Sequence, residues 1–166
     1  MFLLGLGSSL PSSFGDRFEN INLAVAYLES YKIKIINKSS FYETPSYPDI
    51  KNPKFINIVV EISTSLPPED LASVSIFIEE KLERKRIIKN EPRTCDIDII
   101  DYDQKIIRNK SNKNLTLPHP KMHVRSFVLL PLFEITQKWM HPEKKIEIKK
   151  LINSLNIKDL RTIKQI

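Results

Sequence analysis

The run Pro92-Arg-Thr-Cys-Asp-Ile-Asp-Ile-Ile100 restricts this chain more than any other segment. Its apolar residues predict a strand, and side chains alternate across a strand. Cys95, Ile97 and Ile99 therefore point one way, and Asp96, Asp98 and Ile100 the other. The α-carbons of the two acids stand about 6.5 Å apart on such a strand. Two ionised carboxylates at that spacing repel by roughly 2–3 kcal/mol at an effective dielectric of about 20. A fold that keeps both on one face has to bring positive charge to them.

The residues just upstream offer it. Lys81, Arg84, Lys85, Arg86, Lys89 and Arg93 crowd together, with only Glu83 and Glu91 among them. Alone, such a run reads as a solvated helix end and loop; beside two acids it reads as a source of arginines for anionic oxygens. The net charge of +6 says less, because Ile, Lys and Asn are abundant along the whole chain.

With 166 residues and 41% hydrophobic content, the chain suits one domain over 1–166 with a single sizeable core. The opening MFLLGLGSSL lacks a basic leader, and no run reaches the roughly 18 apolar residues of a spanning helix. The expectation is a soluble cytoplasmic chain with no membrane partner. Cys95 stands alone, so neither a disulfide framework nor a cysteine zinc cluster can form within the chain.

Residues 1–8 read as a buried strand entering a turn. A helix follows, with Asp16 as N-cap and Phe18, Ile21, Val25 and Leu28 at helical spacing. Two strands are expected in KIKIINKSSFYETP and FINIVVEIST, joined by an extended loop carrying Pro45, Pro48 and Pro53. A second helix begins at the prolines of PPEDLASVSIFIEEKLERKR, with a stripe of Leu71, Val74, Ile78 and Leu82. The acid-bearing strand, a turn into a short strand and the polar loop RNKSNKN come next. LTLPHPKMHVRSFVLLPLFEI then turns helical, and the tail holds one amphipathic stretch, IEIKKLINSLN. This order predicts an α+β fold: a ferredoxin-like βαββαβ core, mainly antiparallel, with helices packed on the sheet and C-terminal additions.

Asp-x-Asp beside a basic segment suits a cation held by carboxylates and phosphate oxygens held by arginines. Magnesium favours one or two carboxylates plus substrate phosphate and water. The alternative for such a pair is a solvated strand edge. In LPHPKMHVRSF, prolines flank His119, with Arg125 and Phe127 shortly after; the histidine either aims at a ligand or caps a turn. GLGSSL lacks the later glycine of a dinucleotide fingerprint and the Gly-Lys-Ser/Thr of a Walker A loop.

In their observed order, PRTCDIDI, LTLPHPKMHVRSFVLLPLFEI, SSFYETPSY, FINIVVEI and GLGSSL resemble the bacterial 6-hydroxymethyl-7,8-dihydropterin pyrophosphokinase family of folate synthesis. The resemblance covers about residues 2–135, leaving 136–166 as an extension. It implies transfer of a pyrophosphoryl group from ATP to the hydroxymethyl group of the pterin, with release of AMP. Asp96 and Asp98 would hold two Mg2+ ions, and Arg84 and Arg93 would stabilise charge during transfer. Glu79, Arg86, Thr116, His119 and Arg125 match nucleotide-site positions. Phe55 and Phe127 match the aromatic pair around the pterin, with Thr44, Pro45 and Asn57 beside the ring and Gly7 and Ser8 in the first turn.

Departures from the family pattern fall in the basic loop. Lys89, Asn90 and Glu91 replace the usual Arg-Trp-Gly, removing an aromatic lid, and Glu83 replaces a frequent glycine before Arg84. Ser9 stands for a frequent Asn, and Asn114 for an arginine of some members. A catalytically weakened nucleotide- or pterin-binding homologue is the milder alternative. A basic RNA-binding module is the rival from another class; it lacks an RNP1-like run, and its acids would repel a phosphate backbone. The expected partners are therefore ATP and the pterin, with no nucleic acid, and the expected form is a monomer.

Overall fold

The structure is a computed structural model that describes residues 1–47, 49–86, 91–108 and 115–166. Pro48, the basic-loop residues Lys89 and Asn90, and most of the polar loop including Asn114 lie outside the described residues. Strand β1 (Phe2–Ser8) leads into helix α1 (Arg17–Ser30). Asp16 caps α1 as its sequence predicts: its carboxylate accepts from Phe18 N and Glu19 N, while the Glu19 side chain accepts from Asp16 N. Of the expected stripe, Ile21 and Leu28 are buried, and Phe18 and Val25 pack at its margin.

The single strand expected across residues 33–44 is two, β2 (Lys34–Lys38) and β3 (Tyr42–Thr44). Both pair antiparallel with β4 (Phe55–Ser63), one beyond the other along its length. Ser39 marks the break. Its N–H donates to Val59 O at 3.0 Å and its hydroxyl accepts from Val59 N at 3.0 Å. A side chain thus takes over from main chain in the ladder, and the strand bends there.

Helix α2 (Pro68–Lys81) and strand β5 (Asp96–Tyr102) complete the core order. β1 pairs antiparallel with both β4 and β5, so the sheet runs β5-β1-β4-β3, extended at its far edge by the short C-terminal strand β6 (Lys164–Gln165). The expected mainly antiparallel sheet with helices packed on it is what forms.

Two apolar clusters cover the two faces. On one, α1 and α2 bury Leu4, Leu6, Ile58, Val60, Ile97 and Ile99. On the other, helices α3 (Ser126–Ile135) and α4 (Ile148–Asn153) bury Leu3, Val59 and Ile100 together with Trp139. The alternation read in PRTCDIDII holds: Ile97 and Ile99 face one cluster, and Ile100 faces the other on the side of the acids. Burial of these side chains stabilises the fold by about 1.5–3 kcal/mol apiece.

A register shift between Leu3 and Leu4 leaves Ile100 as an extra residue opposite β1. Asp101, next in line, is fully buried. Its carboxylate accepts from Trp139 Nε1 at 2.8 Å and from Gln104 N at 2.9 Å and Nε2 at 2.8 Å. Burial pushes its pKa up against these donors. The region after α3 is therefore pinned to the sheet by a polar bond as well as by packing. Trp139→Phe is expected to lower stability by about 1–3 kcal/mol in urea unfolding, because it strips a buried carboxylate of a donor.

Beside Trp139, buried His141 accepts at Nδ1 from Glu143 N and Lys144 N, at 3.2 and 3.1 Å. Burial, then His123 and Lys144, hold its pKa down to about 4 from 6.5. The unfolded chain binds this proton first, so the contribution of neutral His141 is complete above about pH 6.5 and is lost as pH falls toward 4. The stability of His141→Asn should accordingly vary less than that of the parent across this window.

Candidate active site

The acid face of β5 opens into a cleft of about 590 Å³ on the α3 side of the sheet. Its floor is made by β1, where Gly5 sits between Val59 and Asp98, and Gly7 between Asn57 and Asp96. Neither glycine has a side chain to fill the space. A Cβ on Gly7 would lie 3.1 Å from Asn57 Oδ1 and 3.7 Å from the Phe55 ring. The strand between the acids and the aromatic thus stays bare, which is the reason to place Gly in the interior of a strand.

Asp96 is held by two arginines: Arg84 Nη1 reaches Oδ1 and Arg93 Nη2 reaches Oδ2, each at 2.5 Å. Burial would raise its pKa, but Arg93 and Arg84 outweigh burial and lower it. Asp98 is less well served. Its Oδ2 lies 3.7 Å from Arg125 Nη1 and 3.8 Å from His119 Nε2, and its side chain is 44% exposed. Restricted solvation on the cleft floor and then the charge of Asp96 push its pKa up to about 6. Positive charge does reach the pair, and it satisfies one acid far more than the other.

Glu79, on α2 and 2% exposed, organises the arginines from behind. Oε1 accepts from Ile97 N at 2.7 Å and from Arg84 Nη1 at 2.6 Å, while Oε2 pairs with Arg86. Burial, opposed by Arg84, raises its pKa to about 7. This residue and its two arginines do not line the cleft; they form the wall behind Asp96. Glu83, just before Arg84, adopts φ of 65°, the left-handed region that favours glycine. Ser13 donates to its carboxylate from N at 2.9 Å and from Oγ at 2.6 Å. Those bonds tie the departure from glycine to the β1–α1 turn.

The same turn holds the other end of the basic loop. Ser9 N donates to Arg93 O at 2.9 Å, Arg93 N to Ser9 Oγ at 3.0 Å, and Ser8 Oγ to Thr94 O at 2.7 Å. Ser8 is thereby buried in a structural bond and does not face the cleft. Arg93 also stacks on Phe55, its guanidinium 4.9 Å from the ring centroid, and Arg125 lies 5.4 Å from that of Phe127. Arg93 Nε is buried without an acceptor among the described residues.

His119 is fixed by its N–H to Ile100 O at 3.0 Å, and its Nδ1 accepts from Lys121 N at 3.2 Å. Its Nε2 is turned toward Asp98 and lies 3.4 Å from Arg125 Nη1, so each ring nitrogen faces a donor. Burial, then Arg125, lowers its pKa to about 4, so it faces the acids as a neutral ring. Asn57 Nδ2 donates to Thr44 Oγ1 at 3.1 Å, which leaves its Oδ1 over Gly7.

Of the residues singled out in the sequence, the cleft collects Gly7, Thr44, Pro45, Phe55, Asn57, Arg93, Asp96, Asp98, His119, Arg125 and Phe127. Arg84 meets it through Asp96. Thr116, beside the cis Leu117–Pro118 bond, stands apart from it. Among those missed were Gly5, Lys121 and three tail residues, Lys158, Asp159 and Thr162. Gly5 could have been found, since it stands two residues before Gly7 and shares its face; the tail carries no motif that signals a site.

The two carboxylates fit divalent cations. They are adjacent acceptors, and the second is compensated only at long range. No cluster of three or more His, Cys, Asp or Glu suited to a metal exists among the described residues. Further ligands would have to come from substrate oxygens and water, the pattern magnesium accepts.

Comparisons with known proteins agree on one family. Residues 3–137 match the family model described as 7,8-dihydro-6-hydroxymethylpterin-pyrophosphokinase (HPPK). The chain is 39% identical over 130 residues to the 2-amino-4-hydroxy-6-hydroxymethyldihydropteridine pyrophosphokinase of Bacillus subtilis, covering 78% of this chain and 76% of that one. With its Aquifex aeolicus counterpart it shares 36% over 139 residues, covering 84% and 82%. It is 34% identical over 155 residues to the folic acid synthesis protein fol1 of Pneumocystis carinii, covering 93% of this chain but only 20% of that longer protein. In fold it resembles Plasmodium falciparum HPPK-DHPS with a TM-score of 0.71 at 18% identity, covering 92% of this chain and 44% of that one. The chain belongs to the 7,8-dihydro-6-hydroxymethylpterin-pyrophosphokinase family.

Proposed function

We propose that this member of the family moves the terminal pyrophosphoryl group of ATP onto the hydroxymethyl group of 6-hydroxymethyl-7,8-dihydropterin in the cleft over Gly5 and Gly7. The observation that carries the reading is the Asp96–Asp98 pair facing that cleft, with Arg84 and Arg93 on one acid and, on the other, Arg125 at 3.7 Å and neutral His119 at 3.8 Å. The hydroxyl oxygen bonds to the β-phosphorus, the bond from that phosphorus to the α-phosphate bridging oxygen breaks, and AMP departs. The hydroxyl proton is lost to solvent or product.

Asp96 and Asp98 are the proposed ligands of two magnesium ions, which would supply Lewis-acid stabilisation of the charge that develops during transfer. Arg93 has its Nε directed at no acceptor among the described residues, and it supplies N–H groups to the transferring phosphates. Arg84, clamped between Glu79 and Asp96, stays fixed and contributes preorganised positive charge. His119 Nε2 and Arg125 face the nucleotide phosphates. Glu79 serves as the rigid anchor of Arg84 and Arg86 behind the cleft.

At the other end, Phe55 and Phe127 stack the pterin while Asn57 Oδ1 and the Thr44–Pro45 segment meet its polar edge. Gly7 leaves the ring room, and Ser8 holds the turn that carries it. Cys95, buried with its thiol pKa raised by burial, suits a reducing compartment such as the cytoplasm. Among the described residues no helix is long and apolar enough to cross a membrane.

Incubation with ATP, magnesium and the hydroxymethyl pterin should give AMP and the pterin pyrophosphate, separable by ion-exchange chromatography; ADP as product rejects this transfer. Asp98→Ala should lose at least about a hundredfold in kcat with its far-UV spectrum unchanged, and chelation of magnesium should stop the parent enzyme. Gly7→Ala should weaken pterin binding by about tenfold or more, read by fluorescence titration, because the added methyl occupies the floor beside Asn57.

A further inference from the structure

The sheet order β5-β1-β4-β3-β6 lays the cleft out from edge to edge. Asp96 and Asp98 stand at one side on β5, Phe55 and Asn57 in the middle on β4, and Thr44 beyond them on β3. At the far edge comes the C-terminal segment, outside the residues matched by the family model. It consists of helix α5 (Ile157–Thr162) and β6. β6 pairs Gln165 with Tyr42 and Lys164 with Glu43; Ile166 N donates to Phe41 O at 2.9 Å, and Gln165 Nε2 to Ser40 Oγ at 3.0 Å. These bonds set α5 alongside the strand that ends in Thr44.

The two sides of α5 differ. Leu160 and Ile163 face Leu130 and Phe133 of α3 across a groove of about 420 Å³. Lys158, Asp159 and Thr162 line the substrate cleft. No residue of α5 is buried, and the apolar side is separated from α3 by open space. The segment is thus held by its edge-strand bonds and a loosely filled apolar contact, the marks of an element of low local stability.

We propose that the segment Ile157–Gln165 is the outer wall of the pterin end of the cleft, with Lys158 and Thr162 as its substrate-facing groups. This inference rests on the reading of Phe55, Asn57 and Phe127 as the pterin site. The wall acts on one substrate: the proposed magnesium ligands Asp96 and Asp98 lie on β5, at the opposite edge of the sheet, so docking of the tail contributes binding energy for the pterin and little for ATP. Because that energy is present in ground state and transition state alike, its loss raises KM and leaves kcat in place.

Two full-length variants test it. Lys158→Ala/Thr162→Ala removes the polar face, and Leu160→Asp/Ile163→Asp drives the helix off α3. Each is expected to raise the KM for the pterin by about tenfold with kcat at saturation and the KM for ATP unchanged. In the parent, amide exchange across residues 157–165 should slow on addition of the pterin and stay as it was with an unreactive ATP analogue alone. An unchanged pterin KM in either variant, or an equal rise for ATP, overturns the proposal. Should the charged pair misfold, the exposed Lys158/Thr162 pair decides it. Phe55→Ala separates the two levels: pterin KM raised there but not in the tail variants overturns the wall alone, and pterin KM unchanged in all overturns the site reading with it.

Discussion

Two like charges on one face of a strand are the constraint around which this protein is arranged. Asp96 keeps its charge because Arg84 and Arg93 grip its two oxygens. Arg84 in turn stays in place because Glu79 reaches it from inside α2 while also accepting the main-chain N–H of Ile97. The chain of contacts therefore runs from a helix core, through two charges, into the backbone of the acid strand itself. A buried carboxylate with a raised pKa is costly to fold around. Here it fixes the angle of an arginine that a solvated loop residue could not hold. Asp98 is paired only with Arg125, at 3.7 Å, and the more weakly held of two adjacent acids is the group with more to gain from a divalent cation.

The arginines also compete with a ligand for the aromatics. Arg93 covers Phe55 and Arg125 lies beside Phe127. Each guanidinium gains a π-face and loses some of its strongly polar surroundings. An aromatic substrate stacking on the same rings must share or displace these contacts, while phosphate oxygens offer the guanidiniums stronger partners. On the proposed reading, phosphate oxygens at one end of the cleft would draw these guanidiniums off the rings at the other, coupling the two halves through the same two side chains. The arrangement also answers the RNA-binding alternative: ring faces already stacked by arginines, next to exposed carboxylate, make a poor platform for a single strand.

Much of this was legible in the chain, and the legible part is local. Alternation placed Asp96 and Asp98 on one face; the N-cap at Asp16 with the helical spacing after it, and the stripe from Leu71 to Leu82, gave both core helices. Family motifs then grouped residues that no periodicity could join, since Phe55, Asp96 and Phe127 meet only through the register of β1 against β4 and β5. The remainder depends on exchanges that leave no pattern. Ser39 divides a strand by substituting its hydroxyl for a carbonyl. The extra residue at Ile100 turns Asp101 inward to Trp139, so a charged side chain in a strand became a core anchor. Lys158 and Thr162 reach the cleft because β6, only two residues long, finds an open edge at β3. Glu83 tolerates a glycine conformation because Ser13, distant in sequence, meets its carboxylate.

Charge balance links the acid pair to the need for metal. Among the described residues of the network, Arg84, Arg86, Arg93 and Arg125 face Glu79, Asp96 and Asp98. With every group ionised the surplus is one positive charge, and a triphosphate brings several negative ones. Removing the aspartates would correct the deficit and would leave a simple arginine pocket able to bind nucleotide. Such a pocket would hold the phosphates equally well before and during transfer, and uniform binding does not accelerate a reaction. In the proposed reaction, carboxylates on the floor would turn the deficit into a requirement for divalent ions. On the proposed reading, the repulsion that the strand tolerates is what would make the site select a metal-bound nucleotide over a bare one.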